Sequence, residues 1–393
     1  MGDAGALRRG SQRTRAIEPF LAMEVLERAQ ALEREGARVL HLEVGEPGFS
    51  APAAAIEACR AALSAGETGY TDSRGLYELR ATIATDKEAR TGVAVDPERV
   101  LVTSGTSPAM LLVFSWLIDP GDEVVIASPH YPCYPNFVRF CGGEPVFVEC
   151  DPETGYRLDP DRVRAALTPR TRAVVCASPA NPTGAVQDLE TLAGLADLGV
   201  PLISDEIYDG LVYDGARAPS ALEVPGESFV LDGFSKRYAM TGFRLGYVIA
   251  PEEAVRPLQV LQQNFFISAS EFVQRAGLAA LESGAESVRA MRAACAVRRD
   301  LLVSGLRRLG LGVPVAPAGA FYVLADARRW DSDSRRLAFR LLEEAHLAIT
   351  PGIDFGAAAE GWLRFCYAVP ETTLLEALDR LGPALERCEG SSA

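Results

Sequence analysis

In Val200-Pro201-Leu202-Ile203-Ser204-Asp205-Glu206-Ile207-Tyr208 a short apolar run stops abruptly at two acids. It is too short for a typical helix and its apolar residues do not alternate with polar ones, as expected of a strand covered on both faces. The pattern recurs outward from this point. Upstream lie Thr171-Arg172-Ala173-Val174-Val175-Cys176-Ala177, Pro145-Val146-Phe147-Val148-Glu149, Glu123-Val124-Val125-Ile126-Ala127 and Arg99-Val100-Leu101-Val102; downstream lie Ser228-Phe229-Val230-Leu231-Asp232 and Leu245-Gly246-Tyr247-Val248-Ile249-Ala250. Helical segments separate several of them, among them residues 109–118 and 189–198. Continuous apolar strands alternating with helices predict an α/β domain with a mostly parallel sheet flanked by helices.

At 393 residues the chain exceeds the size at which one core keeps growing, so a second domain is expected. Residues 17–36 have helical spacing, with Leu21, Val25, Leu26 and Leu32 on one side and Gly36 as terminator. Residues 271–309 read as mostly helical. Beyond Pro314 and Pro317 come a strand at 321–324, a helix at 335–345, a strand at 363–367 and a final helix at 372–386, the composition of a smaller α+β domain. The division expected is 1–45 as an arm and helix belonging to the small domain, 46–284 as the large ligand-binding domain, and 285–393 as the small C-terminal domain.

A formal net charge of −14 argues against nucleic acid or an anionic membrane as partner, and no apolar run reaches the length of a membrane span. The first fifteen residues carry Arg8, Arg9, Arg13 and Arg15 without the apolar stretch of a signal peptide, and read as a frayed arm. The eight cysteines show neither C-x-x-C pairs nor zinc-type spacing; reduced thiols, no metal and a cytoplasmic setting are expected.

Two positions use a residue the chain otherwise avoids. Of 39 basic residues only Lys87 and Lys236 are lysines; the rest are arginines. Only lysine can shed its proton and attack a carbonyl, which makes Lys236, in Gly233-Phe234-Ser235-Lys236-Arg237-Tyr238-Ala239-Met240-Thr241-Gly242-Phe243-Arg244-Leu245-Gly246, a candidate for Schiff-base chemistry. Ligands of open parallel sheets bind outside the carboxyl ends of strands, where Asp205 stands; Tyr208, one helical turn on, falls on the same side. An Asp after a strand also serves as a helix N-cap. Gly105, Thr106 and Ser107 open the helix that follows 99–102 and offer backbone N–H groups and hydroxyls to a phosphate, although the G-K-[ST] of a P-loop is missing. Asn181-Pro182-Thr183-Gly184 is a turn after a strand from which Asn181 could reach a ligand.

These segments, with Val44-Gly45-Glu46-Pro47, Tyr70-Thr71, Ser128-Pro129-His130-Tyr131-Pro132, Gly319-Ala320-Phe321-Tyr322 and Leu363-Arg364, occur in the order found in one family. The chain resembles the fold type I, pyridoxal-phosphate-dependent aminotransferases of class I/II over nearly its whole length. The resemblance implies pyridoxal 5'-phosphate as cofactor and a ping-pong Schiff-base transfer of an amino group between an L-amino acid and a 2-oxo acid. It implies Lys236 as the Schiff-base lysine and proton shuttle, and Asp205 as the partner of the ring nitrogen. Asn181 and Tyr208 would bond the phenolic oxygen, and Tyr131 would stack on the ring. Ser235 and Arg244 would join Gly105, Thr106 and Ser107 around the phosphate. Tyr70 would reach the phosphate of a neighbouring subunit, which implies a homodimer. Arg364 would grip the substrate carboxylate with Asn181 and Gly45.

Phe20, Phe265, Phe266 and Tyr322 are candidates to line the side-chain end, and no second cation for a distal carboxylate stands out, which favours neutral or aromatic substrates. The sequence departs from the family pattern at Gly48, where Asp is common and the loop is expected to be more mobile, at Cys366, where Ser is frequent, and at Asp354, which either faces the substrate or caps a turn. His130 reads as structural. A lyase or synthase on the same scaffold is the alternative enzyme, since fold does not fix reaction type. A cofactor-sensing regulator would need a DNA-binding module for which the residues preceding the fold leave little room.

Overall fold

The computed structural model describes residues 10–389. Strand β1 (Leu40–His41) comes first. Then β2 (Val100–Thr103), β3 (Glu123–Ser128), β4 (Glu144–Glu149), β5 (Thr171–Ala177), β6 (Leu202–Asp205), β7 (Ser228–Gly233) and β8 (Gly246–Ile249) build one seven-stranded sheet in the order β2-β8-β7-β6-β5-β3-β4. All its pairings are parallel except those of β8, which runs antiparallel to both neighbours. Every residue of β2, β6, β7 and β8 is buried, although β2 stands at one edge, whereas β4 at the other edge is largely exposed despite its apolar run.

Two layers cover the sheet. On one face Val113 and Phe114 of the helix Thr106–Leu117 pack with Val124, Ile203, Phe229 and Val248. On the other, Leu79 and Ile83 of the helix Tyr77–Thr91 meet Val102, Val125, Leu202 and Val230. Neighbouring strand residues thus face opposite layers, as the pleat requires.

Towards the C-terminus β9 (Tyr322–Asp326), β10 (Leu347–Ala348), β11 (Thr350–Pro351) and β12 (Trp362–Cys366) complete the strands. β9, β11 and β12 form an antiparallel sheet in the order β11-β12-β9. Leu302 and Leu306 from Ala285–Arg308, Leu337 and Leu341 from Ser334–Ala345, and Leu374 and Leu381 from Glu371–Glu389 share its core with Val323 and Phe365. β1 pairs in parallel with β10, Leu40 opposite Leu347 and His41 opposite Ala348, so the two ends of the chain close on each other.

Several local expectations shift. The helical stretch 271–309 is two helices, Glu271–Ser283 and Ala285–Arg308, that break at Gly284. A Cβ there would come within 2.4 Å of the Ala280 carbonyl oxygen and 2.9 Å of the Tyr238 ring, so the chain turns where only glycine fits. The N-terminal helix runs Leu21–Arg34. Of the expected arm, residues 1–9 lie outside the described residues, and Arg13 and Arg15 belong to a short helix, Gln12–Arg15, capped by Ser11. No helix follows Asp205; the chain makes a turn through Tyr208 and Asp209 instead. All eight cysteines are unpaired. Among the described residues no helix is long and apolar enough to cross a membrane, and no group of side chains could hold a metal ion.

Candidate active site

Where the carboxyl ends of β5 and β6 meet the small sheet, a cavity of about 230 Å³ opens. Asp205, Lys236 and Arg364 all line it, with Phe20, Met23 and Gly45 from the N-terminal segment. Of the residues singled out in the sequence, Thr106, Ser107, Tyr131, Asn181, Tyr208, Ser235, Arg244 and Tyr322 also reach it, and Gly105 immediately precedes Thr106.

Asp205 is the last residue of β6 and is buried. Tyr134 donates its hydroxyl to one carboxylate oxygen at 2.6 Å and the Ile207 N–H donates to the other at 3.2 Å. Burial pushes its pKa up to about 6; those two donors oppose the shift, and the nearby charges of Asp232 and Glu206 add to it. The local N–H bond is the turn-type contact of an Asp after a strand, yet the other oxygen points at the cavity wall formed by Tyr134.

Lys236 is only partly exposed, and its ammonium donates to the carbonyl oxygen of Gly45. Burial lowers its pKa to about 8, so the neutral amine is within reach near neutral pH. Tyr208 and Tyr322 share a hydrogen bond of 2.6 Å between their hydroxyls. Gly45 is required here: a Cβ would fall 1.9 Å from the Tyr322 oxygen.

Arg364, in the middle of β12, is 2% exposed. Asn181 Oδ1 accepts from its Nη1 at 2.9 Å, Thr350 Oγ1 from its Nη2 at 3.0 Å, and the Glu43 carbonyl also accepts from Nη2. The guanidinium lies 4.4 Å from the Tyr322 ring centroid and 4.8 Å from that of Phe355. A cation so deeply buried, with no carboxylate among these partners, is arranged to receive an anion.

The start of the helix Thr106–Leu117 has no side-chain cap; its N-cap is Gly105, at φ +102°. A Cβ on Gly105 would sit 2.6 Å from Arg244 Nη2, and one on Gly246 would strike the Thr106 nitrogen at 2.7 Å. Backbone amides, hydroxyls and a guanidinium thus surround a space cleared by two glycines, the make-up of a phosphate cradle. With the amine of Lys236 and the carboxylate of Asp205 on the same cavity, the residues fit a phosphorylated aldehyde with a basic ring.

Other residues fall elsewhere. Tyr70 is 82% exposed and lies outside this chain's cavity, as do Phe265 and Phe266. His130 stacks on Phe147 at 5.0 Å, with its Nδ1 3.1 Å from the Tyr131 carbonyl oxygen. Gly48 is not the mobile point expected: its N–H donates to the Ala368 carbonyl at 2.9 Å, and a Cβ would come within 2.2 Å of that oxygen. Asp354 caps rather than faces the ligand, accepting from the Leu21 and Ala22 N–H groups at 2.8 and 3.2 Å and so holding the first turn of the helix that lines the cavity. Burial raises its pKa to about 6 against those two bonds. Sequence reasoning missed Tyr134, although it stands one helical turn from Tyr131, and it missed Thr350 and Glu43, which carried no motif.

Known proteins resemble this chain over nearly its whole length. The family described as aminotransferase class I and II matches residues 37–381. An aspartate/prephenate aminotransferase of Thermus thermophilus is 42% identical over 384 residues, 96% of this chain and 99% of that protein. A valine–pyruvate aminotransferase of Mycobacterium tuberculosis is 40% identical, covering 97% of this chain and 98% of its own. Among solved structures, the Thermus thermophilus aspartate aminotransferase with maleate superposes with a TM-score of 0.90 at 42% identity, covering 96% of this chain and 100% of that one.

Proposed function

The chain belongs to the class I and II aminotransferases, and from that premise we propose that its cavity holds pyridoxal 5'-phosphate and passes an amino group from an L-amino acid to a 2-oxo acid. The observation that carries this reading is the meeting of Lys236, Asp205 and Arg364 on one cavity beside an uncapped helix start. Bound there, the cofactor supplies an aldehyde for an amine and an electron-withdrawing ring. Lys236 would join that aldehyde, and Asp205 would hold the ring nitrogen. Asn181 and Tyr208 would hold the phenolic oxygen and Tyr131 the ring face. Gly105, Thr106, Ser107, Ser235 and Arg244 would hold the phosphate.

Arg364 receives the substrate α-carboxylate, with its guanidinium oriented by Asn181 and Thr350. As a free amine whose pKa burial lowers to about 8, Lys236 would take the proton from the substrate α-carbon and could also return it. Tyr322, the first residue of β9, lines the small-sheet side of the cavity and is hydrogen-bonded to Tyr208.

The cations lining the cavity are Lys236, Arg244 and Arg364, each with a duty already, while Phe20, Met23 and Met110 supply apolar wall. This supports neutral or aromatic amino acids as substrates. The exposure of Tyr70 supports a homodimer in which it completes the partner's phosphate site. We further propose residues 46–284 as the cofactor domain and 1–45 with 285–393 as the small domain, and, from the unpaired cysteines, a cytoplasmic setting. The relatives above carry aminotransferase names, which favours transfer over the lyase alternative.

The test is a half-reaction screen. The cofactor-loaded protein is mixed with single amino acids and the bound cofactor's absorbance is followed to the amine form. Conversion by neutral or aromatic amino acids is expected; conversion by none, with cofactor demonstrably bound, overturns the reading.

A further inference from the structure

Lys87, the other lysine, is fully buried on the helix Tyr77–Thr91. Its Nζ lies 2.8 Å from Asp232 Oδ2, 2.9 Å from Glu206 Oε2 and 3.6 Å from Asp209 Oδ2. Glu206 follows Asp205 directly, so the two carboxylates leave the end of β6 on opposite sides, one to the cavity and one to Lys87. Asp232 lies one residue beyond Leu231, the register partner of Asp205 on β7. Three buried acids therefore crowd the carboxyl ends of two adjacent strands.

The groups around each acid differ. Asp205 meets the Tyr134 hydroxyl and the Ile207 N–H, with Tyr131, Tyr208 and Cys176 nearby, none of them a cation. Glu206 accepts from Ser204, Ser220, the Ala221 N–H and Lys87. Asp232 accepts from Tyr247 and the Gly233 N–H, pairs with Lys87, and has Arg90 at 3.7 Å. Arg90 also pairs with Asp86 and Asp209, and Arg237 pairs with Asp86.

We propose that Lys87 is a positioning residue for the amino-transfer site, cancelling the negative field of Glu206 and Asp232 so that Asp205 can stand ionised against the cofactor's ring nitrogen. This rests on the reading of Asp205 given above. Burial works against the charge on Lys87, but Asp232 and Glu206 outweigh it and hold its pKa above the usual value. Burial likewise works against Asp232, and Lys87 followed by Arg90 holds that carboxyl below its ordinary range. Because like charges raise a carboxyl pKa, stripping Lys87 from these acids makes Asp205 harder to ionise, and stripping an acid from Lys87 makes it easier.

The experiment reads the dissociation constant of pyridoxal 5'-phosphate from cofactor-free full-length protein between pH 5 and 9, by absorbance. Wild type, Lys87→Met, Glu206→Gln and Asp205→Asn are compared. Titration of the cofactor's own phosphate is common to all four, so differences between variants belong to the protein. The acid limb of affinity is expected to move up by about half a pH unit or more in Lys87→Met and down by a similar amount in Glu206→Gln. A lysine that merely pins its helix would lower the melting temperature of both variants and shift neither limb, and that result overturns the proposal. Should Lys87→Met fail to fold, Glu206→Gln decides alone: a limb unmoved or moved upward overturns it. If Asp205→Asn keeps wild-type affinity and the same limb, the assignment of Asp205 fails instead.

Discussion

Two lysines in one chain occupy opposite electrostatic settings. Lys236 borders the cavity with a backbone carbonyl as its hydrogen-bond acceptor, and burial takes its amine down to about 8. Lys87 is buried more completely, yet Glu206 and Asp232 within 2.9 Å keep it firmly protonated. Burial alone does not make a lysine reactive. What decides is whether carboxylates follow it inside. Arginine could serve at neither place without change: it cannot give up its proton at 236, and its planar fork does not replace a compact ammonium among three acids at 87.

The sharpest way to break the comparison is Lys236→Arg, which keeps the charge and removes the removable proton. Turnover should fall by roughly a thousandfold or more, measured as kcat with any amino acid that converts the wild type; substantial residual turnover would falsify the role of 236. Next is Lys87→Met, which strands two buried carboxylates. A loss of about 3–5 kcal/mol in unfolding free energy is expected from denaturant titration, against little change for a matched substitution at exposed Arg60.

A third prediction follows from the sign of the Lys236 shift. The neutral amine is the nucleophile and its pKa is lowered to about 8, so cofactor uptake should slow by about tenfold per pH unit below 8 and level off above it. Stopped-flow absorbance between pH 6 and 10 checks this; a rate still climbing through pH 10 would return Lys236 to the class of ordinary lysines. The smallest effect concerns a third buried charge, Asp354. Asp354→Ala removes the cap on Leu21–Arg34 and should cost about 1 kcal/mol, seen as faster amide exchange in that helix while the seven-stranded sheet keeps its protection.

The parts of this molecule written in short-range pattern were readable in advance. Residues 202 and 203 announce a doubly covered strand because Leu202 faces one helical layer and Ile203 the other, and Asp205 and Lys236 stood out because a ligand site at strand ends draws on such chemistries. The pairing of β1 with β10 was not, since two-residue strands leave no periodicity and their partners lie at opposite ends of the chain. Asp354 illustrates the same limit: its donors, Leu21 and Ala22, are brought to it only by tertiary packing. The break at Gly284 was hidden because the apolar spacing on both sides of it is helical, and the Tyr238 ring that crowds Gly284 lies far away in sequence. Lys87 stood out by its rarity, but its three acidic partners emerge only once Tyr77–Thr91 is laid against β6 and β7.

The arrangement of the cavity also bears on how the protein is made. Gly105 to Ser107, Lys236 and Arg244 lie within residues 105–246, whereas Arg364 belongs to β12, the last strand to leave the ribosome, and Phe20 directly precedes a helix pinned by Asp354. On the reading proposed above, the residues that would hold the cofactor are therefore synthesised well before the arginine that would receive the substrate.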